Sequence, residues 1–274
     1  MIYTQNLHTH STHCDGKNTP EEMIETALDL GFTELGFSAH SYNSYSPRCY
    51  RMTLETTEEF KRDINRLKEL YRDKIDLFLG LEFDMYSETP LEGFDYTIGA
   101  VHYLKKDGEF LGIDRDAATV QKLIDERFEG DGMKLCRTYY EELAKLPQYG
   151  KFDIVGHFDL IIKTVEQNPF VDIEGKEYLG YAFEALRALK DHTPFFEVNT
   201  GAIGRGYRTA PYPTLTVLKE MHRLGIKLTL SSDCHDRNYL TCGFEESIAL
   251  MKAAGYREAY ALKKSGFEAV SLEG

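Results

Sequence analysis

The chain has 274 residues, 42% of them hydrophobic, which is enough for one sizeable core, and its apolar runs fall short of the ~20 residues that span a bilayer. A formal net charge of −13 argues against a general nucleic-acid or anionic-membrane surface and leaves small molecules as the expected partners. Five scattered cysteines, Cys14, Cys49, Cys136, Cys234 and Cys242, show no CxxC pairing, so neither a disulfide framework nor a zinc knuckle is expected. The opening MIYTQNLHTH lacks the pattern of a signal peptide, so the expected location is the cytoplasm.

A first strand is expected to run into NLHTHSTHCDG, residues 6–16, where three histidines, a cysteine and an aspartate crowd together. TPEEMIETALDLG then predicts a helix, with Thr19 as N-cap, Pro20 at the first helical position, acidic residues in the first turn and Gly31 at the stop. It leads into the apolar run TELGFSAH. The rhythm recurs in the helix TTEEFKRDINRLKELYRDK with the strand IDLFLGLEFD, followed by a short strand in YTIGAVHY. After an irregular, charged segment come GMKLCRTYYEELAKL with FDIVGHFD, EYLGYAFEALRALKDH with PFFEVNTG, and YPTLTVLKEMHRLG with IKLTLSSDCHD. This makes seven core strands, with an eighth short one expected at REAYAL or FEAVSL. No linker or repeat divides them, so residues 1–274 read as one domain.

Strands alternating with helices pair in parallel, as an open doubly wound sheet or a closed barrel. His8, His40, Glu82, His102, His157, Glu197 and Asp233 each fall at or near the C-terminal end of a different predicted strand. An open sheet spreads such ends along a line, whereas a barrel gathers them at one mouth, so a barrel is favoured.

His8 and His10 stand one side-chain period apart, so on an extended strand both rings share a face and can hold one metal ion. The same spacing recurs in Glu82 with Asp84, His157 with Asp159, Glu197 with Asn199, and Asp233 with His235. Seven of the nine histidines gather at strand ends or in the loops just after them. With carboxylates beside them, they point to a metal site, and imidazole with carboxylate suits zinc, iron or manganese. His192 and His222 lie at helix ends, where histidine needs no metal to be explained. His13 is out of phase with the His8/His10 face and counts as an auxiliary, substrate-side candidate. Cys14 and Cys234 flank ligand candidates but read as small packing residues. GAIGRG lacks the spacing and the following helix of a dinucleotide loop.

HTHSTHCDG, GFTELGFSAHS, GLEFD, AVHY, GHFD, FFEVNTG and LSSDCHD, in this order over nearly the whole chain, resemble the polymerase-and-histidinol-phosphatase (PHP) family, and its histidinol-phosphate phosphatase branch in particular. The resemblance implies a distorted (β/α)7, TIM-like barrel with three divalent or mixed-valence metal ions at the strand C-terminal ends. It implies that His8, His10, Glu82 and Asp233 hold the first metal. Glu82 then bridges to a second held by His102 and His157, while Asp15, His40 and His235 hold a third. Glu82, Asp233 and His235 are the catalytic candidates. Such an array of dications lowers the pKa of a bound water from ~15.7 toward ~7, neutralises phosphoryl oxygens and stabilises the leaving oxygen, which makes phosphate-ester hydrolysis the natural reaction.

Arg205 and Arg208 follow the sixth predicted strand, and the resemblance implies that an arginine there contacts phosphate, with Arg208 slightly preferred. Lys163, Arg48 and Arg237 are weaker candidates. For the histidinol moiety, the loop SAHSYNSYSPRCYRM offers Tyr42, Tyr45 and Tyr50, and Glu197 either binds the substrate amine or supports a metal ligand. The expected substrate is L-histidinol phosphate, in histidine biosynthesis. The rivals are another phosphoesterase or a nuclease of the same family, an amidohydrolase-type C–N hydrolase, and a non-catalytic metal-binding protein.

Overall fold

The computed structural model describes residues 3–45 and 52–273. The chain runs β1 (Gln5–Asn6), α1 (Pro20–Asp29), β2 (Glu34–His40), α2 (Leu54–Tyr71), β3 (Asp76–Asp84) and β4 (Tyr96–Ala100). A hairpin, β5 (Tyr103–Lys106) and β6 (Glu109–Gly112), precedes α3 (Ala117–Arg127), α4 (Gly132–Leu143) and β7 (Ile154–Val155). Then come α5 (Lys176–Leu189), β8 (Phe195–Asn199), the short turn α6 (Gly201–Gly204), α7 (Leu215–Arg223) and β9 (Lys227–Ser231). The chain finishes with α8 (Phe244–Ala254), β10 (Glu258–Lys263) and β11 (Gly266–Ser271).

Seven strands form one sheet in the order β1-β2-β3-β4-β7-β8-β9, every neighbouring pair parallel. The two ends of that order meet at Thr9, which bridges to Cys234, while the His10 N–H donates to the Cys234 carbonyl at 3.0 Å. The Ser38 N–H donates to the Thr9 carbonyl on the other side, so the sheet is a nearly closed barrel of seven parallel strands. The helices form as the local chemistry dictates. Thr19 and Glu22 complete a capping box at α1, Pro20 occupies its first turn, and Gly31 leaves it at φ +77°.

Two segments differ from the sequence reading. REAYAL and FEAVSL both form strands, but they pair antiparallel with each other as β10 and β11, outside the barrel. Lys263 pairs with Gly266, and a connection that short has no room for the crossover that parallel pairing needs. The irregular charged segment after β4 contains the β5–β6 hairpin and α3, whose burial is confined to Val120 and Ile124.

Alternation along the strands sorts the interior. Leu35, Phe37, Leu77, Leu79, Leu81 and Phe83 face outward into the main core, together with Met23, Ile24, Phe60 and Ile64 from the helices. The lower interior of the barrel is a separate cluster of Leu7, Phe78, Tyr96, Ile98, Ile154 and Phe195. Leu262 of β10 joins that cluster, and Phe267 of β11 stacks on Phe195 with ring centroids 4.1 Å apart, so the terminal hairpin plugs the barrel floor. Gln5 holds the plug through two hydrogen bonds of 2.7 Å with the backbone of Leu262. The upper interior is left to polar side chains.

Tyr96 fills the floor because its neighbours are small. A β-carbon at Gly80 would lie 2.2 Å from the Tyr96 ring, and its hydroxyl donates to the Leu7 carbonyl. Gly80→Ala is therefore expected to destabilise the protein by about 1–3 kcal/mol through overpacking. The measurement is the urea midpoint at unchanged m-value, and a midpoint equal to that of the parent refutes this reason for the glycine.

Candidate metal centre

The upper end of the barrel brings together side chains from the C-terminal ends of six strands. His8 and His10 follow β1, His40 ends β2, Glu82 lies near the end of β3, His102 follows β4, His157 follows β7, and Asp233 and His235 follow β9. Asp15 returns to the site from the loop after β1. Gly16 makes that return feasible, since a β-carbon there would sit 2.5 Å from the backbone of His10 and Ser11. His157 and Asp233 take φ values of +23° and +47°, a sparsely populated backbone state for residues other than glycine that clusters at functional sites.

Glu82 is the hub. Its carboxylate lies 2.6 Å from His40 Nδ1, 2.9 Å from His157 Nε2, 3.2 Å from His102 Nε2 and 3.4 Å from His8 Nε2. Asp233 Oδ1 lies 3.1 Å from His10 Nε2 and 3.6 Å from His8 Nε2, and Asp15 Oδ1 lies 3.2 Å from His235 Nε2 and 3.4 Å from His40 Nε2. Among the described residues, three overlapping groups have ligand atoms within 4.8 Å of one another: His8, His10 and Asp233; His8, Glu82 and His157; and His10, Asp15, His40 and His235. His102 joins the second group through its contact with Glu82.

The donor set fits metal ions. His8 Nε2, His10 Nε2, His40 Nδ1, Asp15 Oδ1 and Glu82 Oε2 are all buried and without a hydrogen-bond partner, although buried polar atoms are nearly always satisfied. Imidazole and carboxylate suit zinc, iron and manganese. Neither Cys14 nor Cys234 belongs to these three groups, and burial pushes both thiols up to about 12, as for packing residues.

Charge is strongly coupled across the cluster. Burial alone would raise the pKa of Glu82, but His40, His8 and His102 outweigh it and hold the carboxyl well below its usual range. Burial opposes protonation of His40 and His102, yet Glu82 with Asp15 raises the first to about 9, and Glu82 with Asp84 raises the second to about 10. His10 goes the other way, to about 3, through burial and the neighbouring His235 and His40.

A cavity of about 260 Å³ opens over the cluster, lined by Asp15, His40, Glu82, His102, His157, Asp233 and His235 and by Asp114, Arg115, Lys163, Arg205 and Tyr207. Arg205 reaches Asp233 Oδ2 at 3.0 Å from the pocket wall. Arg208, preferred from the sequence, does not line this cavity. Its guanidinium is buried, donates to the carbonyls of Ile162 at 3.0 Å and Ala210 at 3.2 Å, and lies 3.7 Å from Glu166, because the chain reverses at Gly206, φ +74°, between the two arginines.

Three other substrate candidates also fall elsewhere. His13 turns to α2, where Nε2 lies 2.9 Å from Asp63 and the ring packs edge-on against Phe60. Tyr42 is tied through its backbone to Ser87, Glu88 and Thr89 and does not line the cavity. Glu197 lies beneath the cluster, fully buried, with its carboxylate 3.0 Å from His8 Nδ1, so it faces a ligand and not the substrate. Arg237 pairs with Glu22, and Arg48 and Tyr50 lie outside the described residues. Asp114, Arg115 and Tyr207 were missed. The one trace of the first two was the charged stretch after β6, whose register against the barrel carries no periodic signal.

A barrel of parallel strands with imidazoles and carboxylates converging at its C-terminal mouth defines a metal-centred hydrolase architecture. The family model described as "PHP domain" matches residues 6–201, and the chain belongs to that family. It is 28% identical over 263 residues to a Deinococcus radiodurans protein named "Probable histidinol-phosphatase", covering 91% of this chain and 93% of that one. It is 26% identical over 258 residues to the histidinol-phosphatase of Bacillus subtilis, covering 87% and 96%. In structure it is similar to a histidinol phosphate phosphatase from Lactococcus lactis crystallised with zinc, L-histidinol and phosphate, with a TM-score of 0.71, 20% identity, and coverage of 96% and 98%.

The raised pKa values of His40 and His102 carry a consequence for metal uptake. At pH ~7.5 both rings are protonated in the metal-free protein, and metal ligation requires neutral imidazole. Binding is therefore expected to release protons, and the apparent affinity to rise with pH toward 9 and 10. Calorimetry of zinc binding in two buffers of different ionisation enthalpy checks this, and a heat independent of buffer contradicts it.

Proposed function

We propose that this chain is a metal-dependent phosphatase that hydrolyses L-histidinol phosphate to L-histidinol and phosphate, a reaction of histidine biosynthesis. The observation that carries the reading is that members of all three ligand groups, Asp233, Glu82 with His157, and Asp15 with His40 and His235, line one cavity with Arg205. The family and the relatives named histidinol-phosphatase support the substrate. Three metal ions, of zinc, iron or manganese, belong to the proposal. The first is held by His8, His10, Glu82 and Asp233, the second by Glu82, His102 and His157, and the third by Asp15, His40 and His235. When bound, such ions supply a water of lowered pKa and neutralise phosphoryl oxygens.

The protein's own side chains do the rest. Arg205 is oriented by Asp233 and presents a planar fork suited to two phosphate oxygens. Lys163 lies 4.4 Å from the centroid of the Tyr207 ring and pairs with Asp114 at the cavity wall. Asp114 stays ionised, since burial is outweighed by Lys163, Arg205 and His102, and it offers a carboxylate to the ammonium group of the substrate. Residues 1–274 act as one domain. No helix among the described residues is long and apolar enough to cross a membrane, and the proposed location is the cytoplasm.

The test is phosphate release from L-histidinol phosphate beside bis-p-nitrophenyl phosphate and a short DNA oligonucleotide, with metal-reconstituted protein. Preferential turnover of histidinol phosphate, abolished in the His8→Ala/Asp233→Ala double variant, is expected. Arg205→Ala should lower kcat/KM for it by about 10²-fold, whereas Arg208→Ala should act through stability. Cleavage of the diester or the oligonucleotide, with little release from histidinol phosphate, overturns the substrate and leaves a phosphoesterase or nuclease.

A further inference from the structure

We infer that Glu197 is a positioning residue that sets the tautomer of His8, keeping the hydrogen on Nδ1 and leaving the Nε2 lone pair for the metal centre. The inference rests on the metal reading of the site. Its own warrant is a chain of hydrogen bonds whose direction is settled at every link.

The chain starts at a backbone donor. The Gly201 N–H donates to Asn199 Oδ1 at 2.8 Å, so the Asn199 amide nitrogen faces the other way and donates to Glu197 Oε1 at 2.7 Å. The His157 N–H donates to the same oxygen at 2.7 Å. His8 Nδ1 lies against both carboxylate oxygens, 3.0 Å from Oε2 and 3.1 Å from the Oε1 that already takes these two fixed donors. An ionised carboxylate only accepts, so the ring nitrogen facing it carries the hydrogen. The opposite nitrogen, Nε2, points to the centre, 3.4 Å from Glu82 and 3.6 Å from Asp233, buried and without a hydrogen-bond partner. The carboxylate also braces the strained backbone of His157, so one buried group orients ligands on two strands.

Glu197→Gln separates this role from simple packing, because it preserves shape and reverses one bond. In this variant the side-chain carbonyl oxygen keeps the donors of His157 and Asn199, which places the new NH2 group against His8 Nδ1. That group donates and stands beside Nδ1, so it favours acceptance there and moves the hydrogen toward Nε2, where the metal belongs. Zinc affinity, measured by chelator competition, is expected to fall about 10- to 100-fold, with the variant still folded by circular dichroism. In the zinc-loaded parent, nitrogen-15 NMR of the histidines should show His8 ligating through Nε2 with a hydrogen on Nδ1. Ligation through Nδ1 in the parent overturns the inference even if the variant fails to fold, as does a folded variant with the affinity of the parent. A parent that binds no zinc, iron or manganese sinks the metal reading and this inference together.

Discussion

A carboxylate buried in the middle of a barrel is the constraint on which the upper half of this molecule turns. Glu82 is 1% exposed, and burying an ion without compensation costs several kcal/mol. The compensation comes from His8, His40, His102 and His157, delivered by four separate strand ends. Each of these imidazoles is in turn buried, with the carboxylate beside it. The cluster is therefore a set of mutually dependent polar groups, and a change at one leaves its neighbours uncompensated. It can exist only because the storey beneath it is apolar and closed, with Tyr96 wedged against Gly80 and the β10–β11 hairpin sealing the floor.

Asp233 connects this cluster to the face that receives substrate. One of its oxygens lies against His10 and His8, and the other against Arg205. The orientation of the guanidinium is thereby coupled to the ligand sphere, and the two cannot be repositioned independently. Lys163 and Asp114 form a second charged pair on the same wall. The cationic groups are thus few and local, set into a chain of net charge −13, which matches a small anionic substrate better than a polymer.

The parts legible in the sequence were those governed by a period. Two-residue alternation placed His8 with His10, Glu82 on β3 and Asp233 with His235 at strand ends, and the rhythm of strands and helices implied the parallel barrel. The parts that escaped depend on directions that no period encodes. Arg205 and Arg208 are three positions apart and equally basic, and only the reversal at Gly206 sends one into the cavity and the other behind the wall. His13 lies inside the densest ligand-type segment, yet it is claimed by Asp63 on α2, a partner 50 residues away. Glu197 carried the right chemistry at the right strand end, but its role follows from donors on three elements. Asp114 and Arg115 reach the mouth from the connection between β6 and α3, where neither alternation nor helical repeat marks a direction.

The closure of the barrel at Thr9 and Cys234 also bears on how the protein comes to exist. Asn6 and Ser232 are 226 positions apart and share a hydrogen bond of 2.6 Å, just ahead of His8 in the one segment and of Asp233 in the other. Because synthesis runs from the N-terminal side, His8 and His10 are made far ahead of the Asp233 and His235 that they meet across that closure. Until β9 is added, the side of β1 that closes onto it is an open edge, exposed to pairing with other chains. The barrel is thus sealed by its last strand, and the segment that opens the sheet order waits for the one that ends it.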